Sequence, residues 1–262
     1  MTASEEELAV AFDHCEGVAV ISLTRPEKRN ALRPADCQRL GDLVRKCEKD
    51  PAVRAIILTG AGGYFSAGAD LRWNLGQTEG TLLPIVHRTV VDTYRCVKPV
   101  LAAVEGCCVG AGWALALACD LVVAGASAYF EPPFVSRGLV PDVGMAWFLA
   151  ERLSRHEIAR LLWFEGRLDA GQAVEYGLVF EVTEDGAALA RARELALRLA
   201  ASPARTVAVA KAMVRNSYGA SLETVLDGEF GYLAYNKADD EVSKRRQEFV
   251  DRLGQARPGA ST

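Results

Sequence analysis

The sequence predicts an α/β fold built on a buried, mostly parallel sheet. Four short runs of β-branched and aliphatic residues have the composition of buried strands. Helical patterns lie between them, and strands that alternate with helices are typical of a parallel sheet covered on its faces. Half of the 262 residues are hydrophobic and 24% are charged, which is an ordinary balance for a globular chain.

The predicted elements of the first part follow in chain order. The buried strands are expected at 18–23, 54–60, 99–106 and 120–125. After the first strand, residues 37–49 place Leu40, Leu43, Val44 and Cys47 on one face of a helix. A second helix is expected at 83–97.

The composition changes near residues 185–200. Strand patterns stop at about residue 187, and alanine-rich helical patterns follow at 187–202, 205–216 and 222–234. We therefore expect a core formed by residues 1–195 and a helical C-terminal region formed by residues 196–262. The tail after about residue 254 has the composition of a disordered terminus.

Composition and charge exclude several classes of function. A net charge of −4 and a pI of about 5.6 argue against nucleic-acid binding, which needs a basic face. The longest apolar run, 109–119, is too short to cross a bilayer, and the acidic N-terminus does not resemble a signal peptide. Seven cysteines without a CxxC pair indicate neither a zinc site nor a disulfide framework. The expectation is a cytoplasmic protein without a metal or a membrane partner.

Two glycine-rich loops each follow a predicted strand. They read TGAGGYFSAGAD at 59–70 and EGCCVGAGWALALACD at 105–120. The first loop has Phe65 where a dinucleotide fingerprint needs glycine, and Ala69 where a phosphate loop needs lysine. Small residues let a ligand approach the backbone N–H groups, so the two loops together could stabilise an oxyanion. Tight turns and close packing are the structural alternative.

A single carboxylate, Asp142, stands in the apolar stretch RGLVPDVGMAW at 137–147. Aspartate is a favoured N-cap residue, so Asp142 could cap a helix that begins at about residue 143. It could also be a catalytic acid and base, because a carboxylate in an apolar pocket becomes more basic.

The combination of four segments resembles the crotonase superfamily, the enoyl-CoA hydratases and isomerases. The segments are LTRPEKRNAL at 23–32, ILTGAGGYFSAGADL at 57–71, KPVLAAVEGCCVGAGWALALACDLVVA at 98–124 and FVSRGLVPDVGMAWFL at 134–149. The resemblance covers roughly residues 10–255. It implies a crotonase (ClpP-like) fold, a superhelix of ββα turns followed by a helical trimerisation region. It also implies a homotrimer or a dimer of trimers that binds an acyl-CoA thioester.

The resemblance also assigns roles to particular residues. The thioester oxygen would lie between the backbone N–H groups of Ala69 and Ala111, which form an oxyanion hole. Coenzyme A would be part of the substrate, with no separate cofactor, and would lie along Lys28, Arg29, Ala31, Ala67, Asp70, Leu71 and Arg72.

The chain departs from the hydratase pattern at both catalytic carboxylates. Ala114 and Phe134 stand where hydratases have their two glutamates. A subset of the family instead has an aspartate at the position of Asp142. This subset includes dienoyl-CoA isomerases, 1,2-epoxyphenylacetyl-CoA isomerases and 4-chlorobenzoyl-CoA dehalogenase. The loop with Trp147 after it looks most like the epoxyphenylacetyl-CoA isomerases.

The sequence therefore predicts an acyl-CoA isomerase with Asp142 as its acid and base. The expected substrate pocket includes Ala114, Glu131, Phe134 and Trp147. A hydratase that uses Glu131 or Asp142 with water is one alternative, and a non-catalytic homologue that binds acyl-CoA is another. Dehalogenation would need a histidine beside Asp142, and His87 lies in the helix expected near the pocket. Fatty-acid oxidation and phenylacetate breakdown are both compatible pathways.

Overall fold

A six-stranded sheet lies at the centre of the computed structural model, which describes residues 9–74, 83–164 and 166–255. Its strand order is β1-β2-β3-β4-β6-β9, and all neighbours are parallel except the antiparallel pair β1 and β2. The strands are β1 Val10–Cys15, β2 Val18–Leu23, β3 Ala55–Gly60, β4 Val100–Val104, β6 Leu121–Gly125 and β9 Glu181–Thr183. The predicted α/β class and its four central strands are confirmed.

A second sheet of three very short strands lies beside the glycine-rich loops. Strand β5 pairs in parallel with β7, which pairs antiparallel with β8. These strands are β5 Cys107–Val109, β7 Tyr129–Glu131 and β8 Leu168–Asp169. Strands of two or three residues are too short to give a period-two pattern, and none of the three was predicted.

The helices cover the sheet and then continue alone to the end of the described chain. In the first part they are α1 Pro34–Lys49, α2 Leu71–Asn74, α3 Leu83–Arg95, α4 Ala111–Leu117, α5 Met145–Ala150, α6 Arg155–Phe164 and α7 Ala170–Glu175. Those that follow are α8 Ala188–Ala200, α9 Ala204–Ser217, α10 Leu222–Lys237 and α11 Asp240–Gln255. Short 3₁₀ turns occupy Pro26–Lys28 and Val135–Arg137.

Several predicted boundaries were wrong by a few residues. Helix α1 begins at Pro34, because proline is well suited to the first turn of a helix, where its missing N–H is not needed. Helix α3 ends at Arg95 rather than residue 97, ahead of Pro99. The helix expected from about residue 143 begins at Met145. Helix α11 lies inside the C-terminal region that was expected to be helical, but no separate pattern was assigned to it.

The chain divides into two compact units, one up to Arg198 and one from Leu199. The predicted split into domains 1–195 and 196–262 stays a prediction, since compactness alone does not establish independent folding. The tail expected to be disordered lies, from residue 256 onward, outside the described residues. No helix among the described ranges is both long enough and apolar enough to cross a membrane.

Candidate active site

The first glycine-rich loop is held by hydrogen bonds on both of its sides. On one side, Ser66 N–H donates to Cys107 O over 2.9 Å, and Val109 N–H donates to Ser66 O over 2.9 Å. On the other, Ala67 N–H donates to Arg29 O over 2.8 Å. The loop is thus fixed between the turn after β2 and strand β5.

Ala69 is oriented by a parallel bridge to Leu32. Leu32 N–H donates to Gly68 O over 2.7 Å, and Asp70 N–H donates to Leu32 O over 2.9 Å. In such a bridge the central residue, Ala69, directs its own N–H and C=O away from Leu32. Ala69 is also exposed, which is compatible with the predicted role of its N–H as an oxyanion donor.

Gly68 brings the two loops into contact. Its φ is +86°, and a Cβ atom placed there would lie 2.7 Å from Val109 O and 3.4 Å from Ala111 N. Only glycine accommodates both the left-handed backbone and this approach. Ala69, which follows Gly68, therefore lies close to Ala111. The structure brings the two predicted oxyanion donors together.

Ala111 is the first residue of α4 and is preceded by Gly110, whose φ is +52°. The first N–H groups of a helix have no intrahelical acceptor, so the N–H of Ala111 projects from the helix end. Gly110 N–H donates to Glu131 O over 3.0 Å, which fixes the start of α4 against β7. A Cβ on Gly112 would lie only 2.6 Å from Ser66 Cβ, so this helix packs directly on the first loop.

The residues predicted to bind coenzyme A lie on two adjacent segments. Lys28 and Arg29 are exposed at the end of the first 3₁₀ turn, and Ala31 is half-buried. Ala67 is hydrogen-bonded to this turn through Arg29 O, while Leu71 and Arg72 are exposed at the start of α2.

Asp70 has a structural partner that the sequence did not indicate. Its carboxylate forms a short ion pair with Arg25, whose guanidinium also lies within 3.4 Å of Ala31 O. This pair joins the two segments that carry the predicted coenzyme A residues. The contact was missed because Arg25 and Asp70 are far apart in the sequence.

Asp142 opens a tight turn and does not cap a helix. Met145 N–H donates to Asp142 O over 3.0 Å, and φ is +47° at Val143 and +79° at Gly144. Two successive left-handed residues define a type I′ turn. The N-cap of α5 is Gly144, and no side chain donates or accepts a capping hydrogen bond there. The helix-cap interpretation of Asp142 was therefore wrong.

The turn after Asp142 contains a strained residue. Val143 is β-branched, and a β-branched residue at positive φ is a genuine outlier. The left-handed conformation costs a non-glycine residue on the order of 1–2 kcal/mol. Only 3% of Val143 is exposed, and it belongs to the hydrophobic core. Burial of its side chain offsets the strain.

Burial raises the pKa of the Asp142 carboxyl above its ordinary value. A hydrogen bond from its own backbone N–H and the charge of His87 act in the opposite direction and lower this pKa. His87 is an exposed residue of α3, so this helix brings a histidine into the electrostatic range of Asp142. A carboxylate with raised basicity can remove a weakly acidic proton.

An aromatic cluster joins α3 to α5 near this turn. The ring of Tyr94 contacts Trp147 edge to face at 5.3 Å and Phe148 at 5.8 Å. His87 and Tyr94 lie two turns apart on the same face of α3. Trp147 is half-exposed, as a pocket residue could be. The sequence pattern did not single out Tyr94.

The other predicted pocket residues are more deeply buried or serve the backbone. Ala114 and Phe134 are both core residues, 0% and 5% exposed. Glu131 is half-buried at the end of β7, and its carbonyl holds Gly110. Helix α5, three residues beyond Asp142, packs against α4, which carries Ala111 and Ala114. Within the described ranges, no group of three or more histidine, cysteine, aspartate or glutamate side chains could hold a metal ion.

The enoyl-CoA hydratase/isomerase family model matches residues 13–256, nearly the whole chain. The chain belongs to this family. A solved relative, an enoyl-CoA hydratase from Polaromonas sp. JS666, superposes with a TM-score of 0.87 at 30% identity. That match covers 94% of this chain and 97% of the relative. The crotonase fold implied by the sequence segments is confirmed.

Relatives within the enoyl-CoA hydratase/isomerase family have different activities. A 1,2-epoxyphenylacetyl-CoA isomerase from Escherichia coli (strain K12) is 34% identical over 87% of this chain and 91% of its own length. A 4-chlorobenzoyl coenzyme A dehalogenase from Arthrobacter sp is 31% identical over 86% of this chain and 84% of its own length. Family membership thus establishes an enzyme family whose substrates are acyl-CoA thioesters, and the reaction depends on the site.

Proposed function

We propose that the protein is an acyl-CoA isomerase that moves a double bond, or opens an epoxide, through a thioester enolate. One observation supports this most strongly. Asp142 is a partly buried carboxylate of raised pKa on a fixed turn, while both hydratase glutamate positions are non-acidic at Ala114 and Phe134. A single carboxylate can return the proton that it removes, whereas hydration by this family uses two.

The proposed reaction is a proton shuttle. The Asp142 carboxylate removes a proton from C2 of a 3-enoyl-CoA, and the electron pair of that C–H bond enters the thioester as an enolate. The N–H groups of Ala69 and Ala111 stabilise the enolate oxygen; losing one such donor typically costs about 3 kcal/mol in the transition state. Protonated Asp142 then delivers the proton to C4, and the double bond shifts to C2–C3. The carboxylate is regenerated and the mass of the substrate does not change.

Coenzyme A binds, in this proposal, along the two hydrogen-bonded segments as part of the substrate, with no separate cofactor. Exposed Lys28, Arg29 and Arg72 supply positive charge for its phosphates. The small side chains of Ala31 and Ala67 leave room beside the backbone, and the exposed Leu71 offers an apolar contact. Asp70 supports the site through its ion pair with Arg25.

Dehalogenation of a halogenated aromatic thioester is a second candidate, and the position of His87 favours it. Asp142 would attack the ring carbon that carries the halogen, and halide would leave with its electron pair. Water activated by His87 would then hydrolyse the aryl ester and regenerate the carboxylate. The charge of His87 acts on the Asp142 carboxyl, so the two residues lie within electrostatic range of each other. The dehalogenase relative makes 4-chlorobenzoyl-CoA the substrate to try.

The test gives the purified protein three substrates, 3-hexenoyl-CoA, crotonyl-CoA and 4-chlorobenzoyl-CoA, and measures the masses of the products. We expect 3-hexenoyl-CoA to be converted to the 2-enoyl thioester without a mass change, and crotonyl-CoA to remain unhydrated. Asp142→Asn should reduce the isomerisation rate by a factor of about 10³ or more while coenzyme A binding persists, because the amide cannot carry the proton. Glu131→Gln is the matched control and should retain activity. Hydration of crotonyl-CoA that depends on Glu131 would refute the isomerase.

Two other outcomes separate the remaining candidates. Release of chloride from 4-chlorobenzoyl-CoA, lost in both Asp142→Asn and His87→Gln, would establish the dehalogenase instead. Binding of every thioester without any turnover would establish a non-catalytic acyl-CoA-binding homologue.

We also propose that the protein assembles as a homotrimer or a dimer of trimers and works in the cytoplasm. Helix α10 exposes a row of apolar side chains that a neighbouring copy could cover, namely Leu222, Leu226, Phe230 and Leu233. All seven cysteines are free, and six of them are buried, which suits a reducing compartment.

A further inference from the structure

We propose that Val143 is a positioning residue for Asp142: its buried side chain holds a strained turn that fixes the direction of the carboxylate. This inference rests on the proposed function, because it assumes that Asp142 acts on the substrate. Val143 itself points into the core and has no contact with the reacting atoms in this proposal.

The residue type at this position is the first reason. Four non-glycine residues have positive φ in the described ranges, namely Glu16, Arg29, Asn30 and Val143, and only Val143 is β-branched. Type I′ turns strongly favour Asn-Gly, Asp-Gly or Gly-Gly because both central residues need positive φ. A turn selected only for stability would not place valine here.

A second turn in the same chain provides the comparison. Glu16 and Gly17, with φ of +52° and +79°, connect β1 to β2 as a two-residue hairpin loop. Glu16 is exposed, so its side chain contributes nothing to that turn's packing. At the Asp142 turn the corresponding residue is 3% exposed and packs in the core. The difference is that the Asp142 turn is anchored through the buried side chain of Val143, whereas the Glu16–Gly17 turn has no such anchor.

The anchor acts on the residue immediately before it. Pro141 limits the backbone on the other side of Asp142, because proline fixes its own φ. Met145, also fully buried, donates to Asp142 O and closes the turn. Asp142 is therefore held between a proline and a buried valine, within electrostatic range of His87 on α3. The backbone at Asp142 is thus restrained on both sides by residues whose own positions are fixed.

The test uses Val143→Gly and Val143→Ala with Val53→Ala as the matched control. Glycine adopts positive φ without strain, so Val143→Gly should fold while losing the anchor. Val53 is 1% exposed and lies in the turn between α1 and β3. Its truncation removes the same buried atoms in a place that does not touch Asp142.

We expect both Val143 variants to lower kcat for isomerisation by about tenfold to a hundredfold, since small displacements of a catalytic group have effects of this size. The KM and the affinity for coenzyme A should stay within about twofold, because ground-state binding is unaffected. Val143→Ile, which keeps the β-branched anchor, should retain most of kcat. Val53→Ala should lower the melting temperature and leave kcat unchanged.

The pH dependence of kcat is a further test, because a purely structural role of Val143 would leave it unchanged. Release of the turn should hydrate the carboxylate, and the acidic limb of kcat should shift to lower pH in Val143→Gly. Unchanged kcat in folded Val143→Gly, or an equal loss in Val53→Ala, would overturn the inference. If Asp142→Asn retains full activity, the proposed function itself fails. If only Asp142→Asn loses activity, the positioning role alone fails.

Discussion

The carboxyl group of Asp142 lies where its charged form is disfavoured. Burial raises its pKa, and the opposing effects of its own N–H and of His87 are smaller. Catalytic groups often have this character, because a site suited to chemistry is not optimised for stability. At neutral pH the ionised Asp142 should therefore reduce the free energy of unfolding.

We predict that Asp142→Asn melts at a higher temperature than the wild type at pH 7. A carboxyl whose pKa is raised in the folded protein stabilises the fold at pH values below its unfolded-state pKa of ~3.9. This stabilisation is lost as the pH rises through the folded-state pKa. Because the side chain is partly exposed, we expect a gain of only about 1–2 °C. Calorimetry at several pH values measures it, and the gap between the two proteins should narrow at acidic pH.

The control for this prediction is Glu184→Gln, an acid-to-amide change on an exposed side chain in the same compact unit. It should leave the melting temperature unchanged. A lower melting temperature for Asp142→Asn at neutral pH would show that the ionised carboxylate stabilises the turn.

At the scale of single elements, a buried ion pair fixes the start of α1. Asp36 accepts hydrogen bonds from the Arg33 guanidinium at 2.8 and 2.9 Å, and from the N–H groups of Ala9 and Arg33 at 3.1 and 3.2 Å. Burial alone would raise the pKa of Asp36, but these hydrogen bonds and the charge of Arg33 outweigh it and lower the pKa. Ala9, the residue before β1, is thereby tied to α1.

We predict that Asp36→Asn lowers the free energy of unfolding by about 3 kcal/mol, because it removes the buried carboxylate that pairs with the Arg33 guanidinium. Because the pKa of Asp36 is lowered in the folded protein, its carboxylate stabilises the fold at pH values above the unfolded-state pKa of ~3.9. This stabilisation is lost as the pH falls through the folded-state pKa. Urea denaturation at pH 7 and at acidic pH measures both effects.

Helix α1 also contains the matched control for Asp36→Asn. Asp42 pairs with Arg45 at the same spacing, but its side chain is 49% exposed. Exposed pairs are worth at most about 1 kcal/mol, so Asp42→Asn should have a small effect. Equal losses in the two variants would mean that burial does not determine the strength of these pairs.

The elements that could be predicted from sequence are those that bury a continuous apolar run. The central strands β2, β3, β4 and β6 are almost entirely buried, so their composition alone identified them. Strand β1 was missed because only Val10 is buried and its other five residues are exposed. An edge strand of this kind lacks the apolar pattern on which such predictions depend.

The candidate site was predictable in its segments but not in its geometry. Glycine-rich loops after strands indicated backbone donors, and the lone Asp142 was recognisable in an apolar stretch. The contact of Gly68 with Ala111, the proximity of His87 and the ring of Tyr94 all depend on tertiary packing. The left-handed Val143 could not be foreseen either, because propensity rules argue against it.

At the scale of the whole molecule, the two compact units differ in how they use apolar residues. The unit up to Arg198 contains the buried hydrophobic core around the central sheet. In the unit from Leu199, no residue of α9 or α10 is buried. Large apolar side chains left exposed in a row are typical of a surface that another chain covers.

We predict that Phe230→Asp dissociates the assembly. Phe230 is 80% exposed and lies on one face of α10 with Leu222, Leu226 and Leu233, so a charge there would be desolvated in an interface between copies. Light scattering after size-exclusion chromatography should give the mass of a trimer or hexamer for the wild type and that of a 28.2 kDa monomer for the variant. Thr224→Asp adds the same charge to the opposite, exposed face of α10 and should leave the mass unchanged. If Phe230→Asp keeps the wild-type mass, or if the wild type is itself monomeric, α10 does not form the interface.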